Sequence, residues 1–219
     1  MVDLQLKGHR AIVTGSSAGI GEAIARRLAA EGAAVIVHGR RAHAVSAVAA
    51  AISAEGGQAE GLTADLADPG ECARLISRAL AGGDIDILVN NAGAFANRGW
   101  GDAAPEDWLA LYATNVAAVV RCIQGFVPAI RAAGWGRIVQ IGTGEAVNQF
   151  YRLEADRRGW GEDWSAIEAG VLTEVLDNPT GRLGRPQEVA DLVAFIASPL
   201  AGYINGANLR IDGGSTAVV

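Results

Sequence analysis

The sequence predicts an α/β fold: a three-layer, doubly wound parallel sheet of the Rossmann-like type, in a single domain over residues 1–219. Two observations predict it. Short apolar runs alternate with segments whose apolar residues recur at helical spacing, an order that favours a parallel sheet with helices on both faces. In addition, a glycine-rich turn joins the first apolar run to the first helical segment, which is where such folds bind their ligands.

The glycine-rich turn covers residues 14–21 and reads TGSSAGIG. It follows an apolar run at 11–13 and opens a helical segment in which Ile20, Ile24 and Leu28 stand four residues apart. Free backbone N–H groups and the positive end of a helix dipole meet at such a turn, which favours binding of a pyrophosphate. A glycine-rich turn without a ligand is the alternative, and the flanking strand and helix argue against it.

The other elements follow in order along the chain. The continuous apolar run at 34–37 is typical of a strand covered on both faces, whereas the alternating pattern at 57–63 suits a sheet edge. Further strands are expected at 85–90, 137–141 and 209–211, and helices at 45–52, at 72–80 and, as a long helix, at 105–130.

Composition narrows the class of protein. The net charge of −6 disfavours binding to nucleic acid or to an anionic membrane. Cys72 and Cys122 fall in helical patterns and are expected to be buried and reduced, and the histidines lack metal-ligand spacing, so no metal is expected. With no signal peptide and no apolar run near the roughly 20 residues of a membrane span, a soluble, cytoplasmic protein is expected.

Several motifs in a fixed order carry a resemblance to a known family. They lie at residues 14–21, 90–93 (NNAG), 114–116 (TNV), 181–190 (GRLGRPQEVA) and 205–214. Through them the chain resembles the short-chain dehydrogenase/reductase family, and within it the members that reduce 3-oxoacyl groups on acyl carrier protein. The resemblance covers nearly the whole chain. It implies an NAD(P)-dependent oxidoreductase that interconverts a carbonyl and a secondary alcohol on a small-molecule substrate, as a homo-oligomer (dimer or tetramer).

The resemblance also implies the cofactor residues. An acidic residue about 20 positions after the glycines holds the ribose of NAD in such folds, whereas an arginine suits the 2′-phosphate of NADP. Here Gly39 stands at the expected position of the acid and Arg40 follows it, so NADP is favoured over NAD; two merely solvated arginines are the alternative. The expected cofactor-binding residues are Gly15, Ser17, Gly19, Ile20, Gly21, Arg40, Asp65, Leu66, Asn91, Ala92 and Gly93.

The catalytic residues that the resemblance implies are present only in part. Asn115 matches the family's asparagine, and Thr143 stands where the family has its serine. The family's tyrosine, with a lysine four residues later, is absent, because the only lysine of the chain is Lys7. Tyr151 falls too soon after Thr143 to replace that tyrosine and is read as part of a lid at about 150–180 that closes over substrate.

A block of residues is therefore missing between about 143 and 151. The family's active-site helix, its sixth strand and the turn after that strand find no counterpart there, and a βαβ unit needs 30 or more residues. In a genuine deletion form, the apolar surface that the missing helix and strand would cover is exposed to water. At about 25 cal/mol per Å², the free-energy cost of this exposure would be comparable to a net folding stability of 5–15 kcal/mol. This cost favours an omission from the sequence as given over a genuine deletion. An omission predicts a chain break between Thr143 and Arg152 and an open slot between residues 137–141 and 209–211. A true deletion form would be a catalytically dead dinucleotide-binding protein or a structural partner subunit.

Overall fold

Within the residues that the structure describes, the sheet has five parallel strands. A computed structural model describes residues 2–95, 101–142 and 148–216, with only the backbone for 148–150. The strands are β1 (Arg10–Val13), β2 (Ala34–Gly39), β3 (Gln58–Thr63), β4 (Ile87–Asn90) and β5 (Arg137–Gln140). Their spatial order is β3-β2-β1-β4-β5, and every neighbouring pair is parallel. The predicted doubly wound parallel fold is confirmed, with β3 at one edge.

Helices cover both faces of this sheet. They are α1 (Gly19–Ala30), α2 (Ala42–Ala54), α3 (Pro69–Ala81), α4 (Pro105–Tyr112), α5 (Ala118–Ala133), α6 (Asn148–Arg158), α7 (Trp164–Glu174) and α8 (Pro186–Ile196). Helices α1, α2 and α8 share one hydrophobic cluster with the sheet, and α3 and α5 share a second cluster on the opposite face. Alternate residues of β1 divide between the two clusters, with Val13 in the first and Ile12 in the second, as a buried parallel strand requires.

The long helix predicted at 105–130 is present and runs from α4 through a π-helical turn (Ala113–Ala117) into α5. Over Pro105–Ala133 it has the length and apolar composition of a membrane span, so the expectation that the chain has no such stretch is wrong. A core helix passes the same test, and the residues that α5 buries against the sheet belong to the cluster shared with α3 (Ala118, Cys122 and Phe126).

The strand predicted at 209–211 is wrong. In the described part of the chain the sheet ends at β5, and Leu209 and Ile211 are exposed without strand geometry. A parallel strand forms only beside a paired neighbour, and the strand that the resemblance implies between β5 and this segment is missing. Ile138 on β5 is 44% exposed for the same reason. The join at 143–147 lies outside the described residues, and with it the predicted break.

The segment expected to form a lid contains α6 and α7. These helices pack against each other and form a small hydrophobic cluster of their own, separate from the two clusters of the sheet. Trp160 packs against Gly170 inside this cluster, and Asp163 caps α7 by accepting a hydrogen bond from the Ala166 N–H at 3.1 Å. The aromatic residues of this segment are therefore partly used to hold its own two helices together.

Candidate active site

The glycine-rich turn lies at the carboxyl edge of the sheet and approaches the end of β4 closely. Gly15 has φ of +66°, and a Cβ there would lie 2.8 Å from the Ala92 Cα. A Cβ on Gly21 would collide with the Asn91 side chain and the Gly15 carbonyl oxygen. Glycine is therefore needed at Gly15 for its positive φ, and at both positions because the backbone of the turn packs closely against neighbouring atoms. The turn and the motif at 90–93 meet at the same sheet edge.

Thr14 joins the same two segments by hydrogen bonds. Its buried hydroxyl oxygen accepts from the backbone N–H groups of Asn91 and Ala92, at 2.9 and 3.0 Å. In return, the Asn91 amide nitrogen donates to the carbonyl oxygens of Thr14 and Gly15, at 2.9 and 3.1 Å. The backbone after β1 and the backbone after β4 are thus held together by the side chains of Thr14 and Asn91, the first residue after each strand.

His38 fixes the turn from the other side. It is buried at the end of β2, where its Nδ1 accepts from the Gly15 N–H at 3.1 Å and its Nε2 lies 3.2 Å from the Ala64 carbonyl oxygen. These partners require a neutral imidazole with the proton on Nε2. Burial lowers the pKa of His38 to about 4, against the opposing effects of the Ala64 carbonyl and Asp65. Ser16 reinforces the contact by accepting from the His38 N–H at 2.9 Å.

The end of β3 contributes Asp65 and Leu66 to the same edge. The Asp65 carboxylate accepts from the Ala67 N–H at 3.0 Å, and Leu66 is buried with its carbonyl oxygen 3.1 Å from the Arg121 guanidinium. Asp68 caps α3 by accepting from the Glu71 N–H at 2.7 Å. Asp65 is therefore not the cap of that helix, and its carboxylate lies half-buried after the end of β3.

Asn115 lies on the π-helical turn and contacts the segment that follows the motif at 90–93. Its amide oxygen accepts from the Ala94 N–H, and its amide nitrogen donates to the Ala94 carbonyl oxygen, both at 2.8 Å. The Asn115 side chain also lies beside Gly93. Single π-helical turns inside α-helices occur frequently at functional sites. The other predicted catalytic residue, Thr143, lies outside the described residues.

At the end of β2, Gly39 contacts Ser17 of the glycine-rich turn and is followed by Arg40. Gly39 is buried against Ser17, and a Cβ there would lie 2.7 Å from the Ser17 Oγ. Arg40 is exposed and makes no ion pair within the described part of the chain. No group of three or more metal-ligating side chains occurs among the described residues either. Among the described residues, this edge of the sheet therefore offers backbone N–H groups, amides and the exposed guanidinium of Arg40.

Residues that fix the turn were missed by the sequence reasoning. The roles of Thr14, Ser16 and His38 depend on partners 22 to 78 residues away, which no local pattern reveals. One signal was available, because Thr14 directly follows the apolar strand β1, His38 is the penultimate residue of the apolar strand β2, and Ser16 lies three residues after β1. Buried polar groups of this kind need hydrogen-bond partners, and only the neighbouring strand ends can provide them.

Comparison with known proteins decides the family. A family model described as short chain dehydrogenase matches residues 9–155, and one described as enoyl-(acyl carrier protein) reductase matches residues 170–216. The chain belongs to the short-chain dehydrogenase family. It is 32% identical to the 3-oxoacyl-[acyl-carrier-protein] reductase FabG of Escherichia coli, over 96% of this chain and 98% of that protein.

Solved structures of short-chain dehydrogenases agree with this membership. L-sorbose reductase from Gluconobacter frateurii, solved with NADPH and L-sorbose, matches with a TM-score of 0.90 and 26% identity over all of both chains. A 7α-hydroxysteroid dehydrogenase, solved with NADH, matches with a TM-score of 0.83 and 29% identity over 97% of this chain and 96% of that one. The protein is therefore an NAD(P)-dependent oxidoreductase that transfers a hydride between a nicotinamide dinucleotide and a carbonyl or secondary alcohol.

Proposed function

We propose that this short-chain dehydrogenase uses NADP(H) in preference to NAD(H). The observation that supports the preference is Arg40, an exposed guanidinium with no ion pair among the described residues, directly after the glycine that replaces the expected acid. A guanidinium meets a phosphate through charge-assisted, bidentate hydrogen bonds, whereas it gains little from a free ribose hydroxyl. The relatives themselves include one solved with NADPH and one with NADH.

The residues at the carboxyl edge fit a dinucleotide. Gly15 and Gly21 let the turn pack closely against the end of β4, and helix α1 begins at Gly19, where a Cβ would meet nothing within 4 Å and Ala18 makes no side-chain cap. We assign the pyrophosphate to this uncapped helix end with Ser17, Gly19 and Ile20, and the adenine side to Asp65 and Leu66. Asn91, Ala92 and Gly93 would line the nicotinamide half. The bound dinucleotide supplies the hydride chemistry, and the chain supplies binding and orientation.

Proton transfer needs residues that the printed chain lacks. Asn115 holds the backbone at Ala94, and Thr143 is our candidate for the hydroxyl that binds the substrate oxygen. The alignment with the E. coli relative extends over 246 positions, more than the 219 residues of this chain. We therefore assign the tyrosine and lysine to a segment of the natural enzyme that belongs between about 143 and 151 and is absent from the sequence as given.

The test compares the printed chain with a chain that carries the segment found by resequencing the gene between the codons for Thr143 and Tyr151. NADPH binding is measured by fluorescence titration, and turnover with a panel of ketones. Binding in both chains with turnover only in the longer one supports the proposal. A gene without the segment, together with binding but no turnover, would make the protein a catalytically dead dinucleotide-binding form. Absence of NADPH binding in both chains would overturn the assignment of the groove.

We further propose that the protein is a cytoplasmic homo-oligomer assembled through the long helix. Helix α4 exposes large apolar side chains, with Leu109 at 68% and Tyr112 at 61% exposure. Exposed apolar patches of this kind mark interaction surfaces, and two-fold contacts are the commonest closed arrangement. Light scattering at micromolar concentration tests this, with Leu109→Glu as the variant and the exposed Leu200→Glu as its control. A monomeric unsubstituted protein, or equal effects of both substitutions, would contradict it.

A further inference from the structure

The backbone that follows β3 is held by charged side chains from two helices. The Asp65 N–H donates to the Glu71 carboxylate of α3 at 2.6 Å. The Leu66 carbonyl oxygen accepts from the Arg121 guanidinium of α5 at 3.1 Å. The Leu66 side chain itself is buried in the hydrophobic cluster that α3 and α5 share. Two consecutive residues at the carboxyl edge of the sheet are therefore fixed from two different helices.

Glu71 does not act as an ordinary helix cap. It is the third residue of α3, and Asp68 at the N-cap accepts a hydrogen bond from its backbone N–H at 2.7 Å. In a capping box, a carboxylate at this position accepts from the N–H of the N-cap residue. Here the Asp68 N–H donates instead to the Asp65 carbonyl oxygen at 3.1 Å, and the Glu71 carboxylate reaches back to the Asp65 N–H. The carboxylate of Glu71 thus holds the residue after β3 rather than its own helix.

Two polar groups of this held segment remain available to a ligand. One Asp65 carboxylate oxygen accepts from the Ala67 N–H at 3.0 Å, whereas its second oxygen and the Leu66 N–H form no hydrogen bond within the described part of the chain. One acceptor and one donor therefore stand on adjacent residues. An adenine edge carries the complementary groups, an amine donor and a ring-nitrogen acceptor.

We propose that Glu71 and Arg121 are positioning residues for the adenine half of the dinucleotide site. The proposal rests on the proposed assignment of the adenine side to Asp65 and Leu66. The peptide unit between these two residues carries the Leu66 N–H, and it lies between one backbone group held by Glu71 and one held by Arg121. The direction of this N–H is therefore fixed before a dinucleotide binds, which reduces the entropy that binding costs.

The test measures the dissociation constants of NADPH and of its hypoxanthine analogue by fluorescence titration. Hypoxanthine has a carbonyl oxygen in place of the adenine amine and an N–H in place of the ring-nitrogen acceptor, so it reverses both groups of the edge. The two dinucleotides share their nicotinamide, riboses and phosphates. We expect the unsubstituted protein to bind NADPH about tenfold or more tightly than the analogue, because mismatched polar groups stay unpaired.

Arg121→Met and Glu71→Leu each remove one of the two hydrogen bonds to the 65–66 backbone. Each should weaken NADPH binding by about five- to tenfold and binding of the analogue by less than about twofold, so the preference for adenine falls. Glu71→Gln keeps a side-chain oxygen as acceptor and should retain the NADPH affinity within about twofold. Arg131 is exposed in the last turn of α5, and Arg131→Met is the matched control, which should change neither constant.

The outcomes distinguish this proposal from the one on which it rests. An unsubstituted protein that does not bind NADPH, or binds both dinucleotides equally, would overturn the assignment of Asp65 and Leu66 together with the roles of Glu71 and Arg121. A preference for adenine that both variants retain would overturn only those two roles. Equal losses of affinity for both dinucleotides would do the same, since they indicate a general structural effect. If Arg121→Met fails to fold, the comparison of Glu71→Leu with Glu71→Gln decides, because Glu71 is only half-buried.

Discussion

The His38 imidazole accepts a hydrogen bond from the Gly15 N–H at 3.1 Å, although the two residues stand 23 positions apart in the sequence. The same ring contacts the Ala64 carbonyl oxygen at 3.2 Å. One buried side chain therefore connects the ends of β1, β2 and β3, and it holds the glycine-rich turn only while it is neutral. Because Nδ1 is the acceptor, protonation would replace this hydrogen bond by a repulsive contact between two donors.

We predict that His38 makes the protein sensitive to mild acid. Its folded-state pKa of about 4 lies below the unfolded value of 6.5. As the pH is lowered from 6.5 to 4, the unfolded chain therefore takes up a proton that the folded chain does not. The free energy of unfolding falls as the pH is lowered over this interval. At 1.36 kcal/mol per pKa unit the full effect is about 3 kcal/mol, of which about 1.5 kcal/mol appears between pH 6.5 and 5.

Urea denaturation at pH 6.5 and at pH 5 measures this difference before most carboxylates titrate. His38→Gln, which does not titrate, is the matched variant and should lose about 1.5 kcal/mol of the pH dependence. If the substituted and unsubstituted proteins lose the same stability between the two pH values, His38 is not buried in the neutral form.

We predict that Thr14→Val destabilises the protein through two unsatisfied donors. The Thr14 hydroxyl oxygen accepts from the N–H groups of Asn91 and Ala92, and valine offers them no acceptor. An unsatisfied buried N–H costs about 1–3 kcal/mol, and since both residues are only half-buried we expect a total of about 2 kcal/mol. Thr14→Ser keeps the hydroxyl and should cost about 1 kcal/mol or less through its lost methyl group. Equal costs for the two substitutions in urea denaturation would contradict this.

Local patterns predicted the elements that depend on local sequence. The run at 11–13, the glycines at 15, 19 and 21 and the helical spacing of Ile20, Ile24 and Leu28 together specify β1, the turn and α1. The segment at 209–211 was predicted wrongly, because its alternation only forms a strand beside a neighbour that this chain lacks. The contacts of His38 and Thr14 were not predicted, because burial at a strand end is decided by which strand ends meet.

In the candidate site too, only part of the geometry could be predicted from local sequence. The motif at 90–93 predicted that Asn91 lies beside the turn, since the carboxyl ends of parallel strands share one edge. The π-helical turn that carries Asn115 was not predicted, because the apolar spacing of 105–130 continues across it. Its geometry is visible only in the structure, where the Asn115 amide pairs with both backbone groups of Ala94.

We predict that alanine has different effects at two glycines of the same turn. Gly15 and Gly19 have nearly equal φ values, +66° and +62°, but a Cβ at Gly15 meets the Ala92 Cα, whereas at Gly19 it meets nothing within 4 Å. Gly19→Ala should cost only the left-handed strain of about 1–2 kcal/mol. Gly15→Ala adds a backbone collision and should cost about 3 kcal/mol or more. Equal losses in thermal or urea unfolding would show that the approach to Ala92 can relax.

We predict that the choice of cofactor depends on Arg40. Arg40→Asp removes the guanidinium that we assign to the 2′-phosphate of NADP and places a negative charge there instead. Binding of NADPH should weaken by about 100-fold or more, since a charge-assisted bidentate pair contributes about 1.5–3 kcal/mol and the new carboxylate repels the phosphate. NADH lacks this phosphate, so its binding should change by less than about threefold.

Arg74→Asp is the matched control for Arg40→Asp. It makes the same change in net charge at an exposed position of α3 that is not among the proposed cofactor-binding residues, and it should leave both dissociation constants unchanged. Fluorescence titration of each variant with NADPH and NADH measures all four constants without requiring turnover. Since the test depends on binding alone, it applies to the printed chain and to a longer one. An equal loss of NADPH and NADH affinity in Arg40→Asp would mean that Arg40 supports the turn rather than the phosphate.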